Sequence, residues 1–294
     1  MKRKAGDIIM KRAIYLIGTF LAVFLFAACS GKPIWENTPL AEMKISVLDL
    51  DGAGCTVLQN SGETMIIDAG NIESPEAIEA FLNREGITKI KYLVLTRLDL
   101  EHMGAAPRLI RGYSVENIIQ SHESNGSPLY GDYYTAAEQQ GLTPQILRKQ
   151  QTVSLGDARI ALLPAEKEVY KDNSDYAIMA QMVYGDKRFL FAGDAGEQRL
   201  REYLSSSPKR MNFAKLPACS AYTEMTGELI DTVSPEYAVI PCAGIEQPCP
   251  EEECLRKENS RILRTDEGTV TALCTGDQLT VFRDSGKENP NGIS

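Results

Sequence analysis

Histidine is the scarcest chemical resource in this chain: His102 and His122 are the only two imidazoles among 294 residues. A catalytic zinc takes about three protein ligands, mostly imidazole or thiolate, and keeps a position open for water. Two histidines therefore exclude a pair of zinc ions held by the usual imidazole set. Paired Cys-x-x-Cys motifs are missing as well. The spacing of Cys242, Cys249 and Cys254 is not that of a zinc ribbon, so structural zinc is not expected. Positive charge is also in deficit, with 31 Lys and Arg against 40 Asp and Glu, a formal net charge of −9. An acidic surface repels phosphate backbones, which disfavours broad nonspecific nucleic-acid binding without excluding a local basic groove. Repeats of fixed period and low-complexity segments are lacking too. With 43% hydrophobic residues, the chain is long enough to bury a substantial core.

Long apolar runs are absent except near the start. There, "MKRKAGDIIMKRA" is basic, "IYLIGTFLAVFLF" is apolar, and "AACS" supplies small residues before a cysteine. That order predicts an export signal over residues 1–28. The apolar run is shorter than the roughly 20 residues that a membrane-spanning helix needs. Ala27-Ala28-Cys29 resembles the bacterial lipobox, which implies lipid on Cys29 and a tether over residues 29–43. Met10 is an alternative start that would give a signal of more typical length. The expected location is the outer face of a bacterial cell membrane, or a membrane facing a periplasm. The signal carries five cationic residues against Asp7, so its removal takes the net charge from −9 to −13.

With Cys29 assigned to lipid, six cysteines remain: Cys55, Cys219, Cys242, Cys249, Cys254 and Cys274. In an exported chain they permit up to three disulfides. Cys249 and Cys254 could close a local bridge, whereas Cys274, in "TVTALCT", reads as a small buried apolar residue.

The remainder alternates hairpins with single helices. "CTVLQNSGETMIID" is a hairpin turning at Asn60-Ser61-Gly62, and "YAIMAQMVYGDKRFLFAGD" is another turning at Tyr184 to Lys187. "SPEAIEAFLNREG" is a helix with Ser74 as its cap, Pro75 at its first position and Gly86 as its stop. Strands outnumber helices, which predicts two mixed sheets face to face with helices outside.

The order "IIDAG", "LVLTRLDLEHMGA", "FLFAGDA", "AKLPACSA", "PEYAVIPC" and "RTDEGTVT" resembles the metallo-β-lactamase fold, and most of all the soluble hydrolase domain of the ComEC competence proteins. The resemblance implies an α+β fold, a four-layer αββα sandwich over residues 44–284, with a polar tail at 285–294. It also implies that the loop after "LVLT" is a metal loop of pattern Thr-His-x-His-x-Asp-His. Here Thr96 and His102 stand, while Arg97, Asp99 and Glu101 occupy the other ligand positions. Asp194 matches the metal-bridging aspartate, Asp68 a structural one, and Asp51 to Gly54 the first loop. Ala218 and Cys219 stand where the family has paired histidines, and Gln247 lies near a later one.

A guanidinium stays charged at any working pH. An inward Arg97 would take the place of an ion and pair with Asp99, Glu101 or Asp194. That reading expects no cofactor and a non-catalytic binding or structural protein, with an unidentified small-molecule or protein ligand. The alternative is a phosphodiesterase-like or nuclease-like hydrolase holding Mn, Mg or Zn on Asp99, Glu101, His102 and Asp194. His122 reads as a surface loop residue. Tyr130 to Tyr134 read as a helix face over the core or as an aromatic platform. A Cys55–Cys219 bridge across the vacated cleft is a further expectation.

Overall fold

The computed structural model describes residues 40–123, 126–244 and 249–284. The export signal, Cys29, Gln247 and the polar tail fall outside the described residues.

The chain folds into two sheets. The first runs through β1 (Met43–Val47), β2 (Thr56–Asn60), β3 (Glu63–Ile67), β4 (Lys89–Leu95), β5 (Ser114–Gln120) and β6 (Gln145–Ile146), with β14 (Thr269–Cys274) and β15 (Leu279–Asp284) beyond β1. The second places β7 (Gln151–Leu155), β8 (Ala158–Leu163), β9 (Met179–Tyr184), β10 (Lys187–Phe191), β11 (Phe213–Lys215), β12 (Tyr237–Ile240) and β13 (Arg261–Arg264) in that order. β3, β4, β5 and β6 run parallel, as do β10, β11, β12 and β13, and the other pairs are antiparallel.

Side-chain alternation builds three layers of core from these two sheets. Met43, Ile45 and Val47 of β1 point inward with Leu58, Met65, Phe189 and Phe213, forming the core between the sheets. Val57, Ile66, Leu93 and Leu95 point the other way. They are covered by α1 (Pro75–Arg84), α2 (Leu100–Met103), α3 (Ala106–Gly112) and α4 (Pro128–Gln139). On the far side, α5 (Glu197–Ser205), α6 (Glu224–Val233) and α7 (Pro250–Lys257) cover Leu190, Ala214 and Ala238. The result is the αββα sandwich expected from the sequence.

Two local expectations resolve differently in detail. Ser61 and Gly62 form the tight turn between β2 and β3, both with positive φ (52° and 77°), a twist that suits a two-residue hairpin. Ser74 precedes α1 but does not cap it. Its hydroxyl donates to Asn71 Oδ1 at 2.8 Å and accepts from Asn71 N, so the oxygen is spent on the preceding loop.

Candidate functional site

The loops that follow β3, β4, β10 and β11 leave the carboxyl ends of parallel strands and meet at one edge of the sandwich. Such strand ends are where α/β folds place their sites. Main-chain bonds fix the loops first. Ala69 N donates to His102 O (2.7 Å), Gly104 N to Gly70 O (2.7 Å) and Ala105 N to Ala69 O (2.9 Å). Gly104 is required here, because a Cβ on it would lie 2.0 Å from the carbonyl carbon of Asn71. Asp68 adopts φ 63°, a left-handed conformation that aspartate tolerates better than most residues. From there its carboxylate accepts Thr96 N at 2.7 Å and Thr96 Oγ1 at 2.8 Å, tying the end of β3 to the start of the next loop. Asp99 caps α2 by accepting Glu101 N at 3.1 Å.

On this frame a row of charges alternates in sign. Arg97 Nη2 lies 2.6 Å from Asp99 Oδ2, and Asp99 Oδ1 lies 2.6 Å from His102 Nδ1. His102 Nε2 faces Asp194 Oδ2 at 3.5 Å, an ion-pair distance outside hydrogen-bond geometry. Asp194 Oδ1 accepts Lys215 Nζ at 3.2 Å and Ala218 N at 3.0 Å. Lys215 Nζ also donates to Gly193 O. His102 and Lys215 are buried, at 1% and 3% exposure.

The field of the row sets the proton inventory. Burial alone would push the His102 imidazolium down, but Asp68, Asp194 and Asp99 overcome it and push His102 up to about 10. Burial also works against the Asp194 carboxylate, yet Lys215 and then His102 hold it well below the usual carboxylate range. Asp99 is lowered as well, with His102 and Arg97 outweighing burial. Asp68 is pushed up to about 6 by burial, against the pull of His102 and the Thr96 bonds. The direction of this shift favours the imidazolium, so an ion binding at His102 would first have to displace a proton from the ring.

The structure thus brings Arg97, Asp99, His102, Asp194 and Ala218 together. Glu101 stands apart: its side chain is exposed, and it joins through its backbone. The cation beside Asp194 is Lys215, with His102 on the other oxygen, while Arg97 reaches Asp99. The resemblance sets Lys215-Leu216-Pro217 against a Lys-Val-Pro stretch before the paired histidines but gives Lys215 no role. The available signal was a lysine inside the apolar segment "FAKLP", since a buried ammonium needs a buried acid.

Cys219 is bonded to Cys249, at 2.00 Å, and not to Cys55, which is buried and free. Cys254 and Cys274 are also free, so the Cys249–Cys254 bridge does not form. Both expected pairings overlooked that Cys219 and Cys249 are brought together from the loops after β11 and before α7. His122 Nε2 meets the Lys167 carbonyl at 2.8 Å and its ring packs edge-on to Tyr176. Tyr133 is buried and donates to Gln120 Oε1 at 2.6 Å, with Tyr130 and Tyr134 packed against it, so this helix face covers β5.

Among the described residues, the group of three or more metal-ligating side chains at common ligand distance is Cys219, Cys242 and Cys249. Asp99, Glu101, His102 and Asp194 do not converge in that way. The residues at the strand ends do not fit a centre of one or two zinc ions. A cavity of about 680 Å³ opens beside the row, lined by Arg97, Asp172, Ser174, Arg201, Ser220 and Thr223 among others.

Comparison with known proteins agrees with this geometry. "ComE operon protein 3" of Bacillus subtilis (strain 168) is 22% identical over 197 residues, which are 65% of this chain and 25% of that protein. The chain thus spans about a quarter of the length of the curated relative it matches. The metallo-β-lactamase fold protein YhfI of Bacillus subtilis superposes with a TM-score of 0.52 at 10% identity, over 76% of this chain and 96% of that one. A variant of CmlA, a diiron β-hydroxylase from Streptomyces venezuelae, superposes with a TM-score of 0.50 at 13% identity, over 87% of this chain and 55% of that one. Residues 48–244 match the family model described as the metallo-beta-lactamase superfamily. By that match, over a sandwich whose site loops stand at the expected strand ends, the chain belongs to the metallo-β-lactamase superfamily.

Proposed function

We propose that this protein is a membrane-anchored, extracytoplasmic lipoprotein in which internal ion pairs have replaced the metal, and that it works by binding rather than by hydrolysis. The observation that carries this reading is the position of Asp194, with Lys215 Nζ 3.2 Å from one oxygen and His102 Nε2 3.5 Å from the other. A metal at Asp194 would meet the buried Lys215 ammonium already in place and would have to displace a proton from His102. Buried acids need positive partners, and here protein groups provide them. The cavity beside Arg97 is the natural ligand site. Its lining mixes Arg97 and Arg201 with Asp172, Asp175 and Glu197, which suits a polar ligand of mixed charge better than a polyanion.

The competing reading is a metal-dependent hydrolase of phosphodiesterase or nuclease type, using Asp99, Glu101, His102 and Asp194 with Mn, Mg or Zn. The placement of three of these residues in one row supports it; the exposed Glu101 and the doubly engaged His102 oppose it.

Elemental analysis of the purified, oxidised chain, with manganese and zinc titrated against thermal stability, separates the two. Binding without catalysis predicts no metal and no shift. Stoichiometric metal that Asp194→Ala abolishes would overturn it. Lipid attachment is tested separately, by mass spectrometry of the membrane-extracted N-terminus. An unmodified Cys29 there rejects the anchor.

A further inference from the structure

We propose that Cys219, Cys242 and Cys249 form a redox-gated zinc site, closed by the Cys219–Cys249 disulfide and opened by its reduction, with the fourth position left to water. This does not rest on the function proposed above, although Cys219 directly follows Ala218, whose amide donates to Asp194.

Three observations carry it. First, the three sulfurs lie within 4.8 Å of one another. Cys242 Sγ is 3.7 Å from Cys249 Sγ. Zn–S bonds of about 2.3 Å in a tetrahedron put two thiolates ~3.8 Å apart, so this edge already has the spacing of a shared metal. Second, the sulfurs form a triangle. Direct thiol–disulfide exchange needs the attacking sulfur in line with the bond it breaks. A collinear arrangement would separate Cys219 and Cys242 by more than the observed limit. The geometry favours a common ligand over attack by Cys242.

Third, Glu251 is wholly buried, and neither of its carboxyl oxygens has a hydrogen-bond partner among the described residues. A buried carboxyl without a partner is costly. Glu251 is not within ligand distance of all three sulfurs, so it is no ligand, but its buried negative charge acts on the Cys242 thiol and favours a cation nearby. Cys249 immediately precedes α7, and Glu251 sits in that helix's first turn, so one short segment carries both groups. Arg264 Nη1 lies 3.7 Å from Cys249 Sγ, but its guanidinium is matched by Glu252 and Asp266, which limits its repulsion of a cation.

The redox step balances. A dithiol reductant passes two electrons and two protons to the Cys219–Cys249 bond and becomes a disulfide itself. The two thiols so formed and the free Cys242 thiol together lose three protons as one Zn²⁺ binds. Thiolate donors suit a soft, redox-inert ion such as zinc.

The test uses the full chain, oxidised or reduced by a phosphine that is then removed under argon, and titrated with Zn²⁺ and with Co²⁺ as a coloured stand-in. The reduced parent should bind one equivalent and show thiolate-to-cobalt charge transfer, and the oxidised parent neither. Cys242→Ser should lose the band, and Glu251→Gln should bind about tenfold more weakly, while Asp194→Asn should behave as parent. If reduction loosens the fold, zinc should restore the near-ultraviolet circular dichroism of the parent and not of Cys242→Ser. A reduced parent with no thiolate band and no zinc-restored fold overturns the site. Uptake that Cys242→Ser keeps and Asp194→Asn abolishes also overturns it, and counts against the binding reading of the cleft instead.

Discussion

Lys215→Met is the most informative single change at the strand ends. It removes the ammonium that accepts no help from solvent, leaving Asp194 with His102 at 3.5 Å and the Ala218 amide at 3.0 Å. Breaking a buried pair by deleting one partner costs about 3–5 kcal/mol, because the other charge stays buried. Asp194 keeps two partners, so the low end, about 3 kcal/mol, applies. For a domain of this size each kcal/mol moves the melting temperature by about 2–4 °C, which predicts a drop of about 6–12 °C. Removing both charges, as Lys215→Met with Asp194→Asn, should recover most of that loss. The coupling between the two sites should then be at least about 2 kcal/mol in a double-mutant cycle, larger by whatever Asp194→Asn alone costs. Urea unfolding followed by circular dichroism gives each corner of the cycle. Because the pair is buried, the coupling should change little with added salt. A cost below about 1 kcal/mol for Lys215→Met, or additive single mutants, would refute the argument that Lys215 substitutes for an ion.

His102 should remain an imidazolium well above neutral pH. A group raised from 6.5 to about 10 contributes stability that is complete below its ordinary value and is lost as pH rises through about 10. Nitrogen NMR of the ring checks this, and a neutral ring at pH 7 would contradict the assigned charge row. Thr96→Val should strip one donor from Asp68, cost about 1–3 kcal/mol and push the Asp68 carboxyl above about 6, whereas Thr96→Ser should retain most of the stability. Gly104→Ala should cost at least about 1–3 kcal/mol through overpacking against Asn71, and a variant as stable as the parent would show that the two loops are not held that closely.

The layered fold was legible because its signals are local. Alternating apolar residues in "KISVL" and "TMIID", hairpin turns with glycine, and loops at strand ends each report on a few neighbouring residues. The site was legible only in part. Arg97, Asp99 and His102 share one short loop, so their meeting follows from chain continuity. Lys215 reaches Asp194 across parallel strands, a pairing that depends on the register of β10 with β11. The bond between Cys219 and Cys249 spans 30 residues and depends on where α7 begins. Neither is encoded in spacing. Glu101 illustrates the reverse error: position in a motif suggested a ligand, but one turn of helix aims its side chain at water.

The loops at the strand ends are held by main-chain bonds among residues 69, 70, 102, 104 and 105, and by Asp68 on Thr96. The Arg97 side chain takes no part in these bonds, and Asp99 contributes only its cap on Glu101 N. Shape and chemistry at this edge are therefore separate variables. The backbone presents fixed mounting points, and what is mounted on two of them can change from donor to cation or acid without moving the frame. Imidazoles reintroduced at positions 97 and 99 would enter a loop whose path is already set, leaving the Lys215 ammonium, the outward Glu101 and the missing donors at Ala218 and Cys219 between this frame and an ion.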